Sequence, residues 1–162
     1  MMTIDESQAD RLPKFDSLQQ QAFLELWRTY DSLKAEEELV FGEFEISSQQ
    51  YNALRLLKTA APSSLAVSAL GQRMITRAPD MTRMLDRLQR QALIARVRRD
   101  DNRRVVEVTI TQAGTKLLQR IAKPIRACHQ RQLGHLPEEQ LMQLIALLRA
   151  ARKRANSDAD DS

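Results

Sequence analysis

Hydrophobic side chains recur along most of this chain at three- and four-residue intervals, a spacing that predicts helices. In residues 15–42, Leu18, Ala22, Leu26, Tyr30 and Leu33 share one face, joined by Phe23 and Trp27, and Gly42 marks a stop. Ser47 or Ser48 can cap a second helix carrying Tyr51, Leu54, Leu57 and Lys58. Ala61-Pro62-Ser63-Ser64 interrupts the pattern. Ser64 is expected to cap a third, short helix from Leu65 to Arg73, with Val67, Leu70 and Met74 facing inward. A fourth helix is expected from Pro79 to Gln91, because a first-turn proline loses no hydrogen bond. Asp80 suits the positive helix start, and Met81, Met84, Leu85 and Leu88 supply the apolar stripe.

The period then shortens to two. Residues 93–98 (LIARVR) and 104–110 (RVVEVTI) alternate in the manner of strands, and Asp100-Asp101-Asn102 between them is turn material. Thr111 can cap a fifth helix with Leu117, Leu118, Ile121, Ile125 and Leu133 as its core face, ended by Gly134. Pro124 falls inside it and predicts a kink or break. Pro137-Glu138-Glu139 opens a sixth helix with Leu141, Leu144, Ile145 and Leu148, and its last turn, Arg152-Lys153-Arg154, suits a negative helix end. The implied fold class is mainly α with a small β-hairpin wing: a winged helix-turn-helix between N- and C-terminal dimerisation helices. Long helices with one apolar face need a partner, and a second copy of the chain is the simplest one. The expected organisation is a flexible arm (1–14), an N-terminal dimerisation helix (15–46), a winged helix-turn-helix DNA-binding domain (47–110), C-terminal dimerisation helices (111–155) and an acidic tail (156–162).

Composition narrows the class. With 162 residues, 43% hydrophobic and 28% charged, the chain can fold around one core. A single cysteine, Cys128, excludes an internal disulfide or a cysteine-based zinc cluster and fits a reducing compartment. The opening MMTIDESQAD is polar and acidic, which predicts no secretory signal. No apolar run reaches the roughly 18–20 residues of a membrane span, so no membrane partner and a cytoplasmic location are expected.

Charge changes the picture more. Residues 1–45 hold eleven acids against four bases, a local net of −7, so the rest must carry +11 to give the chain its +4. Residues 72–104 hold ten arginines against four aspartates. A surplus built wholly from arginine, on a helix-turn-helix and hairpin, points to a polyanion.

The residues then sort by position. Thr82 and Arg83 lie in the first turns of the fourth helix, where helix-turn-helix proteins touch bases, and arginine can pair bidentately with guanine. Arg77 suits phosphate, and Arg87 suits phosphate or a pairing with Asp86. Arg103 and Arg104 at the wing tip suit a narrow minor groove, whose potential attracts arginine. Asp80 reads as a cap. Cys128 reads as a buried small hydrophobe, His129 and His135 as structural or exposed, and Met74, Met81 and Met84 as core. Phe23, Trp27 and Tyr30 share a face that serves either a dimer core or a ligand pocket. There is no Gly-rich phosphate loop, HExxH or GxSxG, so neither enzyme, catalytic set, metal nor cofactor is expected.

Residues 67–114, VSALGQRMITRAPDMTRMLDRLQRQALIARVRRDDNRRVVEVTITQAG, resemble the winged-helix domain of MarR-type transcriptional regulators. The resemblance rests on Thr82-Arg83 followed by Asp86-Arg87-Leu88, the Leu-Ile that begins the wing, the wing-tip arginines followed by valines, and Thr111-x-Ala113-Gly114. It extends more loosely over SSQQYNALRLL (47–57) and the terminal helices. It implies a homodimeric cytoplasmic regulator whose helix 78–92 enters the major groove of a pseudo-palindromic operator while the wing reaches the minor groove. It also implies a small aromatic or phenolic effector, for which Trp27, Tyr30 and Tyr51 are the candidate lining. The chain departs from the family at Asn102, where an aspartate usually braces Arg104, so a looser wing is expected. Gly71 replaces a commoner alanine, and Ile75 stands where glycine is common, so a different turn geometry is expected. The resulting reading is a DNA-binding repressor released by a small aromatic ligand. The alternatives are a winged-helix module for protein or RNA, and a thiol-based redox-sensing regulator.

Overall fold

The computed structural model describes residues 16–76, 80–99, 101–102 and 104–157. The expected arm, Arg77, Pro79, Asp100, Arg103, the side chains of Lys153 and Arg154, and the tail from Asp158 lie outside the described residues. The elements are α1 (Leu18–Gly42), α2 (Ser48–Ala60), β1 (Leu65–Ala66), α3 (Val67–Arg73), α4 (Met81–Arg90), β2 (Ile94–Arg98), β3 (Val106–Ile110), α5 (Gln112–Leu133) and α6 (Glu138–Ser157). The chain divides into two compact units, residues 1–36 and 37–162.

Within the second unit the helices begin where their side chains can satisfy backbone N–H groups. Ser47 caps α2 in a reciprocal capping box: Gln50 N–H donates to Ser47 Oγ at 3.2 Å, and Ser47 N–H donates to Gln50 Oε1 at 2.9 Å. That pairing satisfies the Oε1 of Gln50, a polar side chain only 3% exposed. Asp80 caps α4 by accepting the Arg83 N–H at 2.9 Å, as its position led us to expect. Thr111 caps α5 through the Gly114 N–H at 3.1 Å.

Two helix ends use a device the sequence does not advertise. Glu45 and Ala92 both sit at φ 57°, in the left-handed region that favours glycine. After α1, Ile46 N–H donates to the Phe41 carbonyl and Glu45 N–H to that of Gly42; after α4, Leu93 N–H donates to Leu88 and Ala92 N–H to Gln89. These are paired Schellman closures with a non-glycine at the left-handed position. Gly42 is therefore the last residue of α1 but not the residue that turns the chain.

The expected third helix is corrected. Leu65 and Ala66 do not start it; they form β1, antiparallel to β3 with Leu65 opposite Val108 and Ala66 opposite Glu107. Ser64 does not cap α3, because its hydroxyl donates to the Glu107 carboxylate instead. The sheet thus has three strands in the order β1-β3-β2, with Arg96 opposite Val108 and Arg98 opposite Val106. A β3 edge left open by the hairpin gains two partners this way, and Leu65 becomes buried.

For Pro124 the expected break is overturned. It lies inside α5, yet the helix neither breaks nor ends there and continues for about two and a half more turns. Ile121, Ile125 and Cys128 are buried on either side of it, and that burial outweighs one lost backbone hydrogen bond.

The core joins Leu54 and Leu57 of α2, Leu70 of α3, Leu85 and Leu88 of α4, Val108 of β3 and Ile121 of α5 with Phe41 at the end of α1. Each such buried aliphatic side chain contributes about 1.5–3 kcal/mol relative to exposure. Gly114 is required where it stands: a Cβ there would collide with the Leu93 carbonyl oxygen and lie 2.8 Å from Ile110 Cγ1. At Gly71 a Cβ would meet only Met81 Cε at 3.5 Å, an ordinary contact, so alanine would also fit.

The first unit is its opposite. Phe23 and Trp27 meet edge to face at 6.0 Å, but they and Tyr30 are each about 60% exposed, and Leu18 is more so. In the second unit α6 likewise leaves Met142, Leu144, Ile145 and Leu147 exposed. Among the described residues no helix is long and apolar enough to cross a membrane.

Candidate nucleic-acid interface

The α4 helix separates its residue types by face. Met84, Leu85 and Leu88 are buried, while Thr82, Arg83, Arg87 and Arg90 are exposed. Arg83, Arg87 and Arg90 stand at i, i+4 and i+7, on one stripe. No described acidic side chain forms an ion pair with any of the three. Asp80 is occupied by the Arg83 N–H, and Asp86 binds a different arginine from the one its neighbourhood suggested.

That arginine is Arg96 of β2. Its NH2 donates to Asp86 Oδ1 at 2.5 Å and its Nε to Gln89 Oε1 at 2.5 Å. A pairing of Arg87 with Asp86 is thereby replaced, and Arg87 stays available for an anion. Spacing could not reveal the pair: the two residues are ten apart and meet only because the chain turns back at Ala92. The groove beside them, about 670 Å³, is lined by Arg83, Asp86, Gln89, Arg90 and Arg96. A second, of about 290 Å³, runs between Ser47, Gln49 and Gln50 at the start of α2 and Arg83 and Arg87.

The wing turn, where Asn102 is expected to brace Arg104 less firmly, has two described backbone contacts. Asn102 Oδ1 accepts the Arg104 N–H at 3.1 Å, and its carbonyl accepts the Val105 N–H at 2.9 Å. A carboxamide oxygen accepts from an N–H as a carboxylate oxygen does, but it carries no charge to brace the Arg104 guanidinium. Arg99 and Asp101 add a two-point ion pair at 2.9 and 2.6 Å. Beside Arg99 the Asp101 carboxyl is held below its usual range, by the hydrogen bond first and the charge second. Arg104 itself is exposed. At the helix-turn-helix corner, Ile75 keeps a backbone that needs no glycine, and Asn52 Oδ1 accepts its N–H at 3.0 Å.

The other candidates fall elsewhere. Tyr51 packs on Phe41 with ring centroids 4.7 Å apart, beneath the Arg55 guanidinium at 5.8 Å. It lines a groove of about 580 Å³ together with Arg55, Ile125, Arg126, His129 and Leu141. Trp27 and Tyr30 belong to the first unit. His129 Nε2 meets Glu37 Oε1 at 2.6 Å, tying α5 to the last turns of α1. Cys128 is fully buried.

Comparison with known proteins places this arrangement. A family model for the MarR family matches residues 46–106. The chain is 30% identical over 95 residues to the HTH-type transcriptional repressor MdtR of Bacillus subtilis (strain 168), a match covering 59% of this chain and 61% of that one. It thus spans about three-fifths of the length of that curated relative. The crystal structure of a MarR transcription factor from Planctomyces limnophilus is 51% identical, with 85% of this chain and 99% of that one covered and a TM-score of 0.68. A cysteine-to-serine mutant of MarR from E. coli, complexed with operator DNA, is 18% identical over 83% of this chain and 94% of that one, with a TM-score of 0.71; at that identity the likeness concerns the fold.

Proposed function

The chain belongs to the MarR family of transcription factors, and from that premise we propose that it works as a homodimer reading a pseudo-palindromic operator in double-stranded DNA. The observation that carries the proposal is the face of α4, where three exposed arginines remain while both neighbouring aspartates are engaged. Thr82 and Arg83 read base edges, with Arg83 suited to guanine. Arg77, Arg87 and Arg90 hold phosphates, and Arg103 and Arg104 enter the minor groove from the wing. The exposed apolar faces of α1 and α6 supply the dimer contact. Regulation by repression, with release on binding a small aromatic acid, fits the groove at Tyr51, which sets Arg55, Arg126 and His129 around an aromatic ring. Oxidant sensing finds no support at Cys128, since burial removes a thiol from attack.

Selecting bound duplexes from a random pool tests the reading. Inverted repeats with half-sites about 10 bp apart are expected. Arg83→Ala should flatten discrimination between the selected duplex and a scrambled one. Arg104→Ala should weaken both and lower the salt slope by about one ion. Enrichment without symmetry, or preference for RNA over duplex, overturns the proposal. Salicylate should raise the melting temperature and release the duplex if the groove holds an aromatic acid.

A further inference from the structure

The Arg96 side chain has no place in the contact scheme above, yet it is the only described side chain of the wing strands that hydrogen-bonds to α4. It is about one-quarter exposed, and its two bonds run to residues one turn apart on the reading helix. The position along the hairpin matters. Arg96 stands opposite Val108, a residue with no exposure at all. The next pair outward, Val97 and Glu107, is gripped from the other side: Ala66 of β1 lies opposite Glu107, and the Ser64 hydroxyl donates to the same carboxylate. Beyond those two registers the described residues of the hairpin have only bonds within it, including the Arg99–Asp101 pair and those of Asn102. The wing is therefore clamped at its root, to α4 through Arg96 and to β1 through Glu107, with Arg104 carried out at the free end.

Electrostatics adds a second consequence. Asp86 is the one carboxylate within α4, on a helix otherwise offering cations. Unpaired, it would repel a phosphate backbone. The guanidinium of Arg96 cancels that charge locally and uses the same contact to fix the angle of the wing.

We propose that Arg96 is a positioning residue for DNA recognition, holding the wing at a set angle to α4 through Asp86 and Gln89 without touching the nucleic acid. The proposal rests on the DNA-binding reading above, and its test has one arm that needs no DNA. In Asp86→Asn the fold should persist with an unchanged melting temperature. Amide exchange at Val97 and Arg99 should rise about tenfold while that of α5 stays as before. The sign of the binding change is diagnostic. Removing a negative charge from a DNA-facing helix ordinarily tightens binding, whereas loss of the clamp should weaken affinity for the selected duplex about three- to tenfold. Arg96→Ala should weaken it about tenfold or more with the salt slope unchanged, and Arg104→Ala should then cost less in that background than in the native chain. Tighter binding by Asp86→Asn, or unchanged exchange at the wing, overturns the proposal. So do strictly additive Arg96 and Arg104 effects accompanied by a slope reduced by about one, since Arg96 would then be a phosphate contact. A native chain that selects no duplex overturns the DNA-binding reading instead, and the exchange arm still decides the clamp.

Discussion

The winged-helix core and the helices at the two ends of the chain were built to different standards of completeness. Between Ser47 and Ile121 the helix starts of α2, α4 and α5 are capped by side chains, one edge of β3 is paired with β1 and the other with β2, and the leucines of four helices and a strand close over one another. The first unit, up to Glu36, and α6 show large apolar side chains to solvent instead. A segment that leaves Trp27 or Met142 more than half exposed fits the proposed homodimer, in which a second chain would cover it. The contrast teaches that folding and association are written in different parts of this sequence, and it can be attacked from either side.

The largest expected effect is on the closed side. Leu88→Ala, at a site with no exposure, should lower unfolding free energy by about 3–4 kcal/mol in urea titrations, and a loss under about 1 kcal/mol would show that the core tolerates a cavity there. On the open side, under the proposed homodimer, Ile145→Asp should leave the winged-helix core folded but raise the dimer dissociation constant about a hundredfold, roughly 2.7 kcal/mol, read by sedimentation. Unchanged association would remove α6 from the interface. A gain should come from Ala92→Gly, which relieves a left-handed alanine and should stabilise by about 0.5–1 kcal/mol in the same titrations, whereas destabilisation would mean that the Ala92 methyl packs.

The smallest effect concerns pH at the wing tip. Asp101 is held below its ordinary value by Arg99, so the pair contributes above the unfolded aspartate value of about 4 and is lost as pH falls through the lowered one. Between about pH 7 and 5 the Arg99 Nε resonance should therefore not move, and it should shift only in more acid solution. Movement near pH ~6 would show that another group controls the turn.

The parts of the structure legible in the sequence are those set by local periodicity. The spacing of Leu54 with Leu57 and of Met84, Leu85 and Leu88 marks helices whatever they pack against, and Val106-Glu107-Val108 marks a strand by alternation. Thr111 was readable as a cap because capping is a matter of neighbours. The exposed cations of α4 followed from the same stripe. What escaped depends on residues distant in sequence. Leu65-Ala66 becomes a strand because β3 offers it an edge, and two residues carry no period. Pro124 is tolerated because of what its neighbours bury. Arg96 finds Asp86 only after the chain reverses at Ala92, and that reversal uses no glycine to announce itself.

That reversal has one more consequence. The Thr111 N–H donates to the Leu93 carbonyl at 3.1 Å, its hydroxyl to that of Ala92 at 2.7 Å, and Gly114 brings the backbone of α5 against the same Leu93 oxygen. The carbonyls at the end of one helix are thus the mounting for the start of another. Main-chain atoms do not compress or change rotamer as side chains do, so the joint behaves like a welded bracket rather than a cushion. In a doubled molecule the gauge between the two reading helices would be set by how the long helices meet, far from any base.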